Sequence, residues 1–138
     1  MVKWWIWFWG IGFWGIGCLA GSSVFAQTEV RCLTTGEFLN LMMYSEGEIV
    51  VDVRAEKSDY RAGHVAGSRY AADFEVLMEL LDDRTVDQPI LLYSSDTEIR
   101  SREAAELLLE HGFNDVYILS GGIEAWKNAA FPTETGRR

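Results

Sequence analysis

The sequence predicts an α/β layered fold built on a mainly parallel sheet. Short apolar, β-branched runs alternate along the chain with stretches of helical period. Those runs lack polar alternation, as expected of strands covered on both faces. Helical stretches separate them, which calls for right-handed parallel crossovers.

Residues 1–26 read as an export leader and 27–138 as one folded domain. Lys3 is the only charge before Glu29, and Trp4 to Ala20 is an unbroken apolar and glycine run. Val24-Phe25-Ala26 puts small residues at −3 and −1 of a cleavage before Gln27. Two other fates stay open. The 17-residue run is near the lower limit of a membrane span, so residues 4–20 can serve as an uncleaved anchor. Cys18, after Gly15-Ile16-Gly17, loosely matches a lipid-modified cysteine. Each fate places the domain outside the cytoplasm, periplasmic, secreted or membrane-anchored facing outside.

Within the domain, Glu29 to Leu33 is a first strand, and Thr34 or Thr35 caps a helix running to about Tyr44. Phe38, Leu39, Met42 and Met43 form the apolar face of that helix. Glu48 to Val53 is a buried central strand, and Val65 to Tyr70 a short strand after a glycine-rich turn. Asp73 caps a helix carrying Phe74, Leu77, Met78, Leu80 and Leu81. Ile90 to Tyr93 is the next strand, followed by a helix that ends near His111, with Gly112 beyond its end. Val116 to Leu119 is the last buried strand. Gly121-Gly122 lead into a short helix holding Trp126, and the tail after Pro132 reads as loose.

After position 26 there are 11 basic and 21 acidic residues, a net charge of −10. Such a surface repels phosphate backbones, which excludes nucleic acid as a partner. Cys32 is the one cysteine after the leader, so no disulfide can form within the domain. It reads as a small apolar strand residue, with a redox-sensitive or intermolecular thiol as the sharper alternatives. No Cys/His cluster has metal-ligand spacing, and no cofactor is expected.

Three motifs in order now carry a resemblance. Asp52-Val53-Arg54 is followed by Tyr60-x-x-Gly63-His64-Val65-x-Gly67-Ser68, and Leu119-x-Gly121-Gly122-x-x-x-Trp126 lies near the end. Between them a strand, loop and helix span Tyr93 to Ser101. The chain resembles rhodanese-like domains over nearly all of residues 27–138. That implies a three-layer fold with a central, mainly parallel five-stranded sheet flanked by helices. It gives Asp52 and Arg54 mainly structural roles. On their own chemistry, Gly63 and Gly67 suit positive φ or close backbone approach. His64 between them is expected to bond backbone and fix the turn, and Trp126 to anchor its helix on the sheet.

Active relatives carry Cys-x-x-Gly-x-Arg-Ser in the loop, and the resemblance implies a persulfide on that cysteine, at a helix N-terminus. Here the loop reads Ser94-Ser95-Asp96-Thr97-Glu98-Ile99-Arg100-Ser101. Counting back from Arg100 puts Ser95 at the nucleophile position; counting forward from Tyr93 puts Ser94 there, in a loop one residue longer. The longer spacing resembles dual-specificity phosphatases. The family glycine falls at Thr97 or Glu98. A hydroxyl cannot hold a transferred sulfur, and it is a nucleophile only beside a base. Ser95-x-x-Glu98 also has the form of a capping box, with Asp96 and Glu98 in the first helical turn and Glu98 four residues before Arg102.

The expectation is therefore an exported domain without cysteine-dependent sulfur transfer, acting as a binding or regulatory module toward a protein partner or a small anion held near Arg100. The alternatives are a sulfurtransferase using Cys32 or a partner thiol, and a serine phosphatase or hydrolase on the same loop.

Overall fold

The computed structural model describes residues 29–136. The expected leader, with Cys18 and residues 4–20, lies outside them. Among the described residues no helix is long and apolar enough to cross a membrane.

The elements run β1 (Arg31–Leu33), α1 (Thr35–Tyr44), β2 (Ile49–Asp52), α2 (Lys57–Ala62), β3 (His64–Val65), β4 (Arg69–Tyr70), α3 (Phe74–Leu80), β5 (Ile90–Tyr93), α4 (Ile99–Glu110), β6 (Val116–Leu119), α5 (Gly122–Asn128) and β7 (Thr133–Glu134). Five strands form a sheet in the order β1-β6-β5-β2-β4, and every pairing in it is parallel. Strand side chains alternate between two apolar layers. Val51, Leu92 and Ile118 pack against Leu77, Ala105 and Leu108 of α3 and α4. Val50, Leu91, Tyr93 and Leu119 pack on the other face against Phe38 of α1 and Ile123 and Trp126 of α5. This is the α/β three-layer fold the sequence predicted.

The cap of α1 is the expected one. The Thr34 side chain accepts from the Glu37 amide, while Glu37 Oε1 accepts from the Thr34 amide at 2.9 Å and the Thr34 hydroxyl at 3.0 Å. Those two bonds, the backbone one first, lower the Glu37 pKa. A carboxylate with a depressed folded pKa stabilises above its ordinary value, 4.5, and loses that contribution as pH falls through the folded value. Thr34→Ala removes the hydroxyl bond and keeps the larger, backbone one, so the Glu37 titration, followed by NMR, is expected to move only part of the way back.

Five expectations are corrected. Val65 to Tyr70 is not one strand: Gly67 at φ +82 and the Ser68 amide bond to Val65 O make a turn, so β3 and β4 enter different sheets. Gly63 does not need positive φ, being extended at φ 173. The tail is not loose, because β7 pairs antiparallel with β3 and the Gly67 amide donates to Glu134 Oε1 at 2.9 Å. Met43 lies off the apolar face of α1, and Cys32, on edge strand β1, is exposed rather than packed.

Candidate functional site

The carboxyl ends of β2 and β5 lie side by side, with Asp52 in register with Tyr93. In parallel sheets such ends are where ligands bind. Asp52 is fully buried and holds the chain that follows it. Its Oδ2 accepts from Arg54 Nε at 2.9 Å and Nη2 at 2.6 Å, and its Oδ1 from the Arg54 amide at 2.9 Å. Arg54 Nη2 also donates to Gly63 O at 2.8 Å, tying the loop after β2 to the turn before β3. Burial works against the Arg54 charge, but its hydrogen bonds to Asp52 and the negative charge there outweigh that and raise the arginine pKa.

His64 is fully buried and stacks on Tyr60, with ring centroids 3.8 Å apart. Its Nδ1 lies 2.7 Å from Tyr60 O, and since a carbonyl only accepts, Nδ1 carries the proton. Nε2 faces Glu134 Oε1 at 3.7 Å, beyond hydrogen-bond reach. Tyr93 binds the same turn, taking the Val65 amide at 3.0 Å and meeting Ser68 Oγ at 3.0 Å. Burial, then the Asp52 charge, pushes its pKa far up, so it stays a neutral phenol. Sequence reasoning placed Tyr60 and Ser68 in a motif without a role and Tyr93 only at a strand end; here the Tyr60 hydroxyl donates to Ser68 O at 2.7 Å. A tyrosine closing a buried strand has no pattern that marks it as a hydrogen-bonding residue.

Ser94 and Ser95 part company in the loop. Ser94 is buried; its Oγ accepts from the Ser101 amide at 3.2 Å and lies 3.1 Å from Ser101 Oγ. Its carbonyl accepts from the Ile123 amide at 2.9 Å. Ser95 is exposed and its Oγ meets Thr97 Oγ1 at 3.0 Å. The serine that faces the first turn of α4 is thus Ser94.

The expected capping box is not formed. Helix α4 starts at Ile99, and Glu98 is its N-cap, left-handed at φ 61, with no side-chain bond to a helix amide. Its carboxylate leaves the helix and takes the Gly121 amide on Oε2 at 2.8 Å. Oε1 lies 3.5 Å from Arg102, the expected i,i+4 pair. Asp96 stays in the exposed loop instead of the first helical turn. The reason is conformational: an acid at positive φ cannot make the reciprocal bonds of a capping box, so it bonds across the gap to the start of α5.

Arg100 does not point at a pocket for an anion. Its Nε donates to Val53 O at 2.7 Å and its Nη2 to Ala72 O, stapling the ends of β2 and β4 to α4. The cleft at the mouth is lined by Arg54, Asp59, Ser95, Asp96, Glu124 and Lys127 among others; three of these are carboxylates, and Arg54 is committed to Asp52. Trp126 Nε1 donates to Pro132 O at 2.9 Å, and the indole lies edge-on to Phe38 and Phe131. Among the described residues no His/Cys/Asp/Glu group has the arrangement to hold a metal ion.

Fold, motifs and loop position together define a rhodanese-like domain, and the family model of that description matches residues 34–129. The chain belongs to the rhodanese-like domain family. Among curated proteins it is similar to the thiosulfate sulfurtransferase GlpE of Ectopseudomonas mendocina, 37% identical over 95 residues, covering 67% of this chain and 82% of the relative. The thiosulfate sulfurtransferase GlpE of Pseudomonas putida is 35% identical over 94 residues, covering 67% and 80%. Among solved structures, the Alr3790 protein from Anabaena sp. superposes with a TM-score of 0.63 at 28% identity, covering 75% of this chain and 82% of that one.

Proposed function

We propose that this domain is a binding or regulatory module in which cysteine-dependent sulfur transfer has been lost, working outside the cytoplasm behind the leader of residues 1–26. The observation that carries the reading is Ser94. It is buried under the first turn of α4, with a hydroxyl already satisfied by Ser101. A thiolate there would accept sulfur and be steadied by the helix dipole. A hydroxyl stays protonated and holds no persulfide. Among the described residues no base is bonded to it to make it a serine nucleophile: its hydroxyl meets Ser101, while His64 Nδ1 is held on Tyr60 O and His111 Nδ1 on Leu107 O. With Arg100 on two carbonyls and carboxylates at the mouth, a small anion is a poorer ligand than a protein partner.

The test is a thiosulfate:cyanide assay on purified protein. No turnover above buffer is expected, and repeated turnover would overturn the reading. Ser94→Cys alone is expected to recover little activity, because Glu98 keeps its carboxylate across the loop on Gly121. Recovery to the rate of a GlpE relative by that one substitution would mean the loop geometry is intact.

One observation favours a second reading. Cys32 is exposed and its Sγ lies 3.4 Å from Arg102 Nη2, a contact that is the foremost cause of the raised Arg102 pKa. Arg102 also reaches Glu98, so the thiol is linked to the serine loop. In this reading the Cys32 thiolate attacks the sulfane sulfur of thiosulfate, sulfite leaves, and the persulfide stays on the protein. Mass spectrometry after thiosulfate treatment decides it: one added sulfur, absent in Cys32→Ala, supports transfer through Cys32.

A further inference from the structure

Helices α3 and α4 leave a depression of about 230 Å³ between them, on the sheet face away from α1 and α5. Its floor is apolar, with Val53, Ala71 and Leu77. Its lips are Phe74, Ala104 and Leu107, the last 38% exposed. A second depression adjoins it through Phe74 and continues along α3 past Met78. Ile99 and Leu107 stand two turns apart on α4, both exposed, with Glu103 between them. The result is an apolar track on the outside of the domain.

Charge on this track is mainly negative. Glu75, Glu79 and Asp82 line the α3 depression, and Glu103 the other. Among the described residues none of these four is in an ion pair. Among the described residues Arg100 is the only basic one lining either depression; it keeps its charge, but its Nε and Nη2 are held on Val53 O and Ala72 O, and the carboxylates outnumber it. Unpaired carboxylates flanking apolar lips repel an acidic ligand and attract a basic one. Apolar anchors supply contact area, and charge at the rim selects the partner.

We propose that the α3–α4 groove docks a basic, amphipathic segment of a partner protein, with its apolar side chains between Phe74 and Leu107 and its Lys or Arg side chains on Glu75, Glu79, Asp82 and Glu103. This deepens the binding-module reading but stands on residues outside the serine loop. The groove also touches the loop through Arg100, so an occupant would sit against the staple that holds α4 to β2 and β4.

The test is fluorescence anisotropy with the full chain and a labelled amphipathic helical peptide made only of Lys and Leu. Binding is expected, weakening with added salt. The double reversal Glu75→Lys/Glu103→Lys is expected to weaken it at least tenfold, and Leu107→Ser severalfold. Glu46→Lys/Glu56→Lys, an equal charge change at exposed residues that line neither depression, is expected to change it little. Absence of binding, equal binding by a Glu/Leu peptide, or equal weakening by the Glu46/Glu56 control would overturn the proposal. So would sedimentation showing a dimer that Leu107→Ser dissociates, since a second copy would then fill the groove. The readout is independent of sulfur chemistry: a chain that turns over thiosulfate yet binds the peptide sinks the loss of transfer and leaves the groove standing.

Discussion

Replacing Asp52 with alanine is expected to destabilise the domain by about 3–5 kcal/mol, the range for removing one partner of a buried ion pair. The cost comes from what remains. Arg54 keeps its charge and is only 8% exposed, so its guanidinium stays largely out of water. It would retain the bond to Gly63 O and lose the three side-chain contacts to the carboxylate. The Asp52 carboxylate also accepts the Arg54 amide, which would be orphaned too. Chemical denaturation of the wild type and variant measures the loss as a shifted midpoint. A change below about 1 kcal/mol would mean that water reaches Arg54 in solution. Asp52→Ala/Arg54→Met is expected to regain much of the loss, because an apolar side chain of similar length needs no partner.

Gly122→Ala should be nearly as damaging, at about 3 kcal/mol, and it acts on the site directly. Gly122 is buried at φ +59, where an L side chain is already strained. A Cβ there would lie 2.2 Å from Ser95 O and 2.5 Å from Ser94 O. Both are backbone atoms of the serine loop, and the neighbouring Ile123 amide holds Ser94 O close at 2.9 Å. No side chain can swing away to make room, so the loop or the start of α5 must move. Thermal unfolding gives the stability loss. The NMR shifts of the Ser101 amide report whether Ser94 Oγ has left it, and an unchanged Ser101 signal would show that α5 moves and the loop stays.

The central strands were legible because burial on both faces forces a simple composition. Ile49-Val50-Val51 and Ile90-Leu91-Leu92 admit little but apolar residues, and all six are buried. Helices α3 and α4 followed from apolar spacing and from the Asp73 cap, whose Oδ1 takes the Val76 amide at 3.0 Å. Helix α2 went unread since its six residues, Lys57 to Ala62, carry one buried side chain, Tyr60, and no apolar period. Strand β7 was missed for a related reason: both residues are exposed, and their pairing depends on β3, almost seventy residues earlier.

The serine loop was half legible. Its position at a strand end before a helix, and its lack of sulfur, follow from the letters alone. Which serine turns inward does not, because one extra residue can be absorbed at either end of the loop. Glu98 is instructive: sequence reasoning notes a missing glycine, whereas the backbone keeps the left-handed turn and places an acid in it. Strain of about 1–3 kcal/mol at such a residue is tolerated where neighbouring bonds hold it, here Gly121 and Arg102.

The pairing of β7 with β3 gives the domain an unusual order of assembly on the ribosome. The turn around Gly67 is made early in synthesis, yet the carboxylate that holds its amide belongs to residue 134. Until that late segment emerges, the ladder beside His64 has no second strand. A nascent chain can therefore pair β2 with β4 and β5 while this corner stays open, and the last stitch in the cloth is sewn from its far hem.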